Sequence, residues 1–96
     1  MNSIEFLQNW FQSNCDGNWE HNFGIKIETL DNPGWYIVVD LENTSMENTY
    51  INQSVDSSER DWFDIKTLNK QLIATGDSHK LFFLLNKIQE ILSNAK

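Results

Sequence analysis

The sequence predicts an α+β fold, in which an antiparallel meander sheet of four to five strands carries the N- and C-terminal helices on one face. Apolar residues recur at helical spacing near both ends of the 96-residue chain, whereas between the helices they alternate with polar residues, as in half-buried strands. No strand–helix–strand pattern, which would indicate a parallel sheet, is present. Because each helix has one apolar stripe to bury, both helices are expected on the same face of the sheet.

The length and composition of the chain indicate one soluble domain spanning residues 1–96. Hydrophobic residues make up 40% of the sequence, which favours a packed core over disorder. The single cysteine, Cys15, cannot form an intramolecular disulfide, and neither a signal peptide nor an apolar run of membrane-spanning length is recognisable. We therefore expect a cytoplasmic protein.

The first helix is predicted to begin near Ser3, because Asn2 followed by Glu5 is typical of a capping box. Its apolar stripe consists of Ile4, Leu7 and Phe11, widened by Phe6 and Trp10. The helix is expected to end near residues 14–15, since Gly17 can adopt the left-handed conformation that terminates helices.

Two runs of alternating residues, 23–30 and 35–42, predict a β-hairpin around the turn at residues 31–34. Within this turn, Pro33 and Gly34 suit the two central positions of a type II turn.

The register of this hairpin is predicted from its two faces. A two-residue loop would set Ile27 opposite Asp40, whereas a loop with an odd number of residues pairs Ile27 with Val39 and keeps the apolar side chains on one face. We therefore predict a loop of three or five residues, or a bulge.

The second half of the predicted sheet is less regular. A weaker strand is predicted at residues 49–55, followed by a polar and mobile loop at residues 56–61. The strands of a second hairpin are predicted at residues 62–68 and 71–75. A two-residue turn at Asn69-Lys70 fits this hairpin, because it pairs Ile65 with Ala74.

The C-terminal helix is predicted to be capped by Asp77 or Ser78. Its apolar stripe consists of Leu81, Leu84, Leu85, Ile88, Ile91 and Leu92, with Phe82 and Phe83 thickening the first turns. His79, at the start of this helix, is interpreted as a surface residue.

Charge is distributed unevenly along the chain. The net charge is −7, and residues 16–64 hold eleven of the fourteen acidic residues but only two of the seven basic ones. An acidic surface disfavours binding to nucleic-acid phosphates, which depends on Lys and Arg, and favours encounter with a basic protein. The alternative interpretation is a solvated acidic face that only keeps the protein soluble.

The segment from Cys15 to His21 reads C-D-G-N-W-E-H and contains residue types that are found in metal sites and active sites. Zinc sites, however, draw ligands from two separate segments, and a Cys–His nucleophile needs oxyanion donors that cannot be named here. In the structural interpretation, Cys15 packs under the helix end, while Asp16, Glu20 and His21 bond backbone groups of the turn. We favour that interpretation for Cys15, and we predict no catalytic residue, metal site or cofactor.

Aromatic residues point to a candidate interface. Trp35 lies on the apolar face of its strand and is predicted to belong to the core. Tyr36 and Tyr50 lie on the other face, together with the acidic Asp40 and Glu42. If the helices cover only the first face, the second face is open, acidic and partly aromatic, which is the composition expected of a surface that binds a cationic protein. It is equally the composition of a solvated sheet face.

Several short motifs make the sequence resemble the immunity protein 53 family of bacterial polymorphic-toxin systems. These motifs are Trp10, the C-D-G-N-W-E-H run, Gly24-Ile25, and the L-D-N-P-G-W run at residues 30–35 followed by Asp40-Leu41. Members of this family are small cytoplasmic proteins that bind a cognate toxin domain and neutralise it without catalysis. The resemblance implies the same role for this chain.

Together with the acidic segment, the resemblance predicts an immunity protein that binds a basic toxin domain, and neither a nucleic acid nor a membrane. The residues predicted to contact the toxin are Asp16, Trp19, Glu20, His21, Tyr36, Asp40, Glu42 and Tyr50. The alternative is a small metal-binding or hydrolytic enzyme that uses Cys15, Glu20 and His21, and a third possibility is a general adaptor module. The sequence leaves the oligomeric state open.

Overall fold

A computed structural model describes residues 2–93. Its elements, in chain order, are α1 (Ser3–Asn14), α2 (Trp19–Asn22), β1 (Ile25–Leu30), β2 (Gly34–Asp40), β3 (Asn52–Ser58), β4 (Asp61–Leu68), β5 (Gln71–Asp77) and α3 (Leu81–Leu92). The four-residue helix α2 is absent from the prediction, because a single turn has no repeating apolar stripe. Within residues 2–93, no helix is both long and apolar enough to cross a lipid bilayer.

The five strands form one antiparallel sheet in the order β1-β2-β5-β4-β3, and the predicted α+β class is confirmed. The strand order departs from a simple meander at one point, because β5 rather than β3 lies beside β2. Burial explains this order: most of β5 is buried or half-buried, whereas every residue of β3 is exposed. The apolar strand therefore takes the centre and the polar strand takes an edge.

The first hairpin has the odd loop length that its faces predict. Leu30 pairs with Gly34, which leaves residues 31–33 as a three-residue loop. The pairing is shifted by two residues from the predicted register, because Ile27 lies opposite Ile37. A shift of two preserves the faces, so the apolar side chains still share one side of the sheet.

The predicted type II turn at Pro33 and Gly34 is wrong. Gly34 is the first residue of β2, where a Cβ atom would lie 2.5 Å from the carbonyl oxygen of Gly76 in β5. Gly34 therefore allows two strands to approach closely and does not serve a turn. The Asn32–Pro33 peptide bond is cis.

The predicted strand at residues 49–55 begins later, at Asn52, and continues to Ser58. The mobile loop predicted at residues 56–61 is therefore wrong, since only Glu59 and Arg60 separate β3 from β4. A strand at a sheet edge with both faces in water needs no alternation of apolar and polar residues. The polar sequence of β3 therefore led to the wrong prediction of a loop.

The second hairpin confirms its prediction. Ile65 pairs with Ala74 across the two-residue turn formed by Asn69 and Lys70. Both turn residues have positive φ angles, 53° and 61°, as a type I′ turn requires.

Helices α1 and α3 contact each other and lie over one face of the sheet, as predicted. The core between these helices and the sheet includes Leu7, Ile37, Val39, Ile65, Leu72, Ala74, Leu84 and Ile88. Trp35 packs against this core as predicted, and its indole Nε1 donates a hydrogen bond to the carbonyl oxygen of Ser78 at 3.0 Å. The face of the sheet opposite α1 and α3 is called the open face below.

The two long helices differ in how they begin. The cap of α1 is confirmed, because Asn2 Oδ1 accepts a hydrogen bond from the Glu5 backbone N–H at 2.8 Å. The cap predicted for α3 at Asp77 or Ser78 is wrong, because the N-cap residue is Lys80 and its side chain makes no capping hydrogen bond.

Asp77 instead anchors the junction between β5 and α3. The residue is only 2% exposed, and its carboxylate accepts hydrogen bonds from Trp62 N at 2.9 Å, His79 N at 2.9 Å and Lys80 Nζ at 2.7 Å. Lys80 Nζ also donates to Asp61 Oδ1 at 2.8 Å. Burial raises the pKa of Asp77, but these hydrogen bonds outweigh burial and lower the pKa to about 2.

Candidate partner interface

Between α1 and β1 the chain turns through residues 15–24, which include α2 and are called the corner below. Two carboxylates stabilise this corner. Asp16 Oδ1 accepts hydrogen bonds from Asn18 N at 2.9 Å and Trp19 N at 2.8 Å, while the Glu20 carboxylate accepts from Asp16 N at 3.0 Å and Gly17 N at 2.9 Å. This reciprocal arrangement satisfies backbone donors at the start of the helix, as a capping box does. Both carboxylates therefore have a structural role.

The same hydrogen bonds stabilise the charged forms of these two carboxylates. Donation from the backbone N–H groups of Trp19 and Asn18 lowers the pKa of Asp16. Backbone donors, its own N–H group first and then those of Asp16 and Gly17, lower the pKa of Glu20. The corner is thus held most firmly when both side chains are ionised.

Trp19 lies at the centre of an aromatic cluster. It is 4% exposed, and its indole Nε1 donates a hydrogen bond to the carbonyl oxygen of Glu42 at 2.9 Å. Its ring centroid lies 6.1 Å from that of Trp10, 5.9 Å from that of Phe11 and 6.1 Å from that of Phe23. Trp19 therefore packs α2 against α1 and links it by a hydrogen bond to Glu42, two residues after the end of β2.

Cys15 does not have the surroundings of a reactive thiol. Its Sγ donates a hydrogen bond to the carbonyl oxygen of Phe11 at 3.3 Å, and partial burial, followed by the charges of Glu20 and Asp16, raises the pKa of the thiol. Nucleophiles and zinc ligands require the thiolate. Within residues 2–93, no group of three or more His, Cys, Asp or Glu side chains is arranged to hold a metal ion. Nothing in this geometry supports the metal-binding or hydrolytic alternative.

His21, Asp40 and Glu42 lie around the same corner. His21 is exposed on α2. Asp40 Oδ2 accepts a hydrogen bond from Gly24 N at 2.9 Å, and its Oδ1 accepts from Gln71 Nε2 at 2.8 Å, so Asp40 ties the start of β1 to β2 and β5. Glu42 is half-buried, with its backbone carbonyl held by the Trp19 indole.

The open face has an aromatic centre with acidic residues on both sides. Tyr36 of β2 is half-buried and lies directly between Glu28 of β1 and Thr75 of β5. Thr75 in turn lies opposite Asp64 of β4. With strands about 4.8 Å apart, Tyr36 and Asp64 stand about 10 Å from each other on the same face.

The floor of the open face is apolar. Val38, the neighbour of Tyr36 on this face, is only 8% exposed, and Ile73 beside it is half-buried. Lys26 and Lys66 flank this pair. Trp62 of β4 is also half-buried on the open face, opposite the exposed Asp56 of β3. An apolar floor with an aromatic centre and charged edges has the composition of a protein-binding surface.

The structure separates the predicted contact residues into groups. Asp16, Trp19, Glu20, His21 and Glu42 come together at the corner, and Asp40 lies beside it. Tyr36 lies on the open face, between β1 and β5. Tyr50 is 78% exposed and precedes Ile51, whose backbone N–H donates to Thr67 Oγ1 of β4, so it lies apart from Tyr36.

Sequence reasoning missed Asp64 and Trp62 as members of the open face. The predicted pairing within the second hairpin is correct, but it does not reveal that β5 lies beside β2. Only that neighbour relation brings β4 near Tyr36. No local pattern in the sequence specifies it.

Comparison with known proteins identifies the family. Residues 4–93 match the family model described as Immunity protein 53, which covers nearly the whole chain. The comparisons with curated proteins and with solved structures found no match. The chain belongs to the immunity protein 53 family.

Proposed function

We propose that this chain neutralises one cognate toxin domain in the cytoplasm by binding it through an acidic surface. The observation that carries the proposal is the family match over residues 4–93, since an immunity protein acts by binding a toxin. The acidic excess of residues 16–64 supports a basic partner.

The open face is the surface that best fits such a partner. It combines Tyr36 and Trp62, residue types that often dominate binding energy, with the acidic Glu28, Asp56 and Asp64. Acidic groups of this kind accelerate encounter with a basic protein, while burial of the aromatic rings supplies affinity.

The corner extends this surface through the exposed His21 and the half-buried Glu42. His21 and Glu42 are available to a partner, whereas Asp16 and Glu20 are engaged with backbone N–H groups and Trp19 is buried. In this proposal the latter three position the corner. Tyr50, which is exposed beside β4, contributes at the periphery.

Co-expression of the chain with its cognate toxin domain, with growth as the readout, tests the proposal. The wild-type chain should restore growth. Replacing Asp56 and Asp64 together by Lys should weaken toxin binding by about tenfold or more, because two attractive interactions become repulsive. The variant Glu42→Lys tests the corner in the same way.

Matched controls are available on the helices. Glu5 and Glu90 are exposed acidic residues of α1 and α3, on the opposite side of the protein from the open face. Glu5→Lys and Glu90→Lys together change the net charge as much as the double Asp56 and Asp64 variant does, and either one alone changes it as much as Glu42→Lys, but these controls should leave the affinity unchanged. If the open-face and corner variants bind with unaltered affinity and unaltered salt dependence, the acidic-surface proposal is wrong.

A further inference from the structure

Strand β1 is an unprotected edge of the sheet. It lies at one end of the strand order, and its four middle residues are exposed, including Ile27 at 47%. The opposite edge strand, β3, is polar and carries a register irregularity near Asp56 and Ser58, and both features discourage pairing with another strand. The β1–β2 pairing has no such irregularity.

The backbone of β1 presents hydrogen-bonding groups to the outside. The carbonyl oxygen of Gly24 accepts a hydrogen bond from Asp40 N at 3.0 Å, so the backbone groups of Gly24 face β2. Along an antiparallel strand these directions alternate. The N–H and C=O groups of Ile25, Ile27 and Thr29 therefore point away from the sheet.

An apolar groove adjoins this edge on the helix-covered side. Its volume is about 520 Å³, and its lining includes Ile4, Leu7, Phe11, Ile25, Ile27 and Leu81. Ile4 of α1 is 67% exposed. The free edge is thus next to apolar side chains that would gain from burial.

We propose that β1 pairs with β1 of a second copy of this chain, in an antiparallel register centred on Ile27. In this register Ile27 pairs with Ile27 of the second copy, and Ile25 pairs with Thr29. All of these residues have outward-pointing backbone groups, so each pair is hydrogen-bonded. The contact is the same on both copies and closes as a twofold dimer.

The charges of Lys26 and Glu28 favour this register over the two registers centred one residue to either side. With Ile27 at the centre, Lys26 lies opposite Glu28 of the second copy, and Glu28 lies opposite Lys26. A register centred on Lys26 would set Lys26 against Lys26, and one centred on Glu28 would set Glu28 against Glu28. Opposite charges across antiparallel strands stabilise the pair, whereas like charges destabilise it. The edge is therefore self-complementary in one register.

The dimer axis in this arrangement is perpendicular to the sheet. Helices α1 and α3 of both copies lie on the same side, so the two grooves face each other across the axis. The open faces of both copies lie together on the other side and stay accessible. The dimer therefore does not depend on the function proposed above.

Sedimentation equilibrium of the full chain and its charge variants tests the dimer. Lys26→Glu and Glu28→Lys each convert two attractive pairs into two repulsive ones, so each should raise the dimer dissociation constant by about tenfold or more. The double variant Lys26→Glu/Glu28→Lys restores both attractive pairs and should dimerise like the wild type. Both positions are exposed, so these variants are expected to fold.

Mixing the two single variants is the most specific test of the proposed register. Each should be impaired alone, but together they form a heterodimer in which every Glu lies opposite a Lys. Glu59→Lys, on the turn beside the opposite edge, is the control and should dimerise like the wild type.

Three results would overturn the proposal. The first is a wild-type chain that stays monomeric at the highest soluble concentration. The second is a dimer whose dissociation constant does not respond to Lys26→Glu or Glu28→Lys, since another surface would then mediate it. The third is a monomeric free chain whose toxin affinity falls with Lys26→Glu, because an added acidic group should not weaken the binding of a basic toxin to the open face, and the edge itself would then belong to the toxin.

Discussion

Asp77 offers the most quantitative test of what holds the fold together. Its buried carboxylate accepts hydrogen bonds from two backbone N–H groups, those of Trp62 and His79, and from Lys80 Nζ. Asp77→Asn keeps the size of the side chain but replaces one acceptor oxygen by an NH₂ group. In either orientation of the amide, that group meets a backbone donor. One buried N–H then loses its acceptor.

The expected cost follows from these contacts. An unsatisfied buried N–H costs about 1–3 kcal/mol, and a charge-assisted hydrogen bond contributes roughly 1.5–3 kcal/mol. Because Lys80 retains Asp61 as a partner at 2.8 Å, the second loss is partial. We expect Asp77→Asn to lower the free energy of unfolding by about 2–4 kcal/mol, measured by urea denaturation.

The pH dependence of stability provides an independent check. The folded-state pKa of Asp77 is about 2, below the ordinary value of 3.8, so folding favours the carboxylate. Its stabilisation is present above about pH 4 and is lost as the pH falls toward 2, which amounts to about 2 kcal/mol. Asp77→Asn should lack this component.

The control for this experiment is Asp31→Asn, at an exposed residue of the first hairpin loop, which should unfold like the wild type. The hydrogen-bond reasoning is refuted if Asp77→Asn lies within about 0.5 kcal/mol of the wild type.

The corner supplies the remaining predictions. Gly17→Ala should lower the free energy of unfolding by about 1 kcal/mol, because φ is 90° there, whereas Gly24→Ala, whose Cβ meets only Phe11 at 3.8 Å, should be nearly neutral in the same urea titration. Trp19→Phe keeps one aromatic ring but removes the hydrogen bond to Glu42 and leaves a cavity beside Trp10 and Phe11; it should cost about 2–3 kcal/mol of stability and lower toxin affinity less than Glu42→Lys does, since Trp19 only positions the corner. Equal losses of toxin affinity in Trp19→Phe and Glu42→Lys would assign Trp19 itself to the interface. NMR titration should place the pKa of Asp16 below 3.8, so that this carboxylate stabilises the corner above that pH and loses its effect on acidification.

Local chemistry made much of the fold predictable from the sequence. Asn69 and Lys70 form the tight turn that the flanking alternation requires, and Asn2 caps the first helix. The position of β5 beside β2 could not be predicted, because it depends on which strand buries the most surface and not on any local signal. Part of β3 was predicted as a loop for the same reason: its residues are polar, and only their backbone pairing with β4 identifies them as a strand.

The two parts of the candidate interface, the corner and the open face, were not equally predictable from the sequence. The segment from Cys15 to His21 stands out by composition, yet the sequence could not show that Trp19 is buried or that Asp16 and Glu20 bond backbone N–H groups. Tyr36 was placed on the open face by alternation alone. That Tyr36 lies near Asp64 could not be predicted without knowing the strand order.

Titration of the purified chain into its purified cognate toxin domain, at low and at high salt, tests the central claim most directly. The activity of the toxin is followed in the same samples. We predict a complex with one toxin domain per chain, loss of toxin activity as it forms, and weaker binding at high salt, since an acidic surface meets a basic one. A toxin that remains active when the chain is in excess, or an affinity that salt does not change, would contradict neutralisation through the acidic open face.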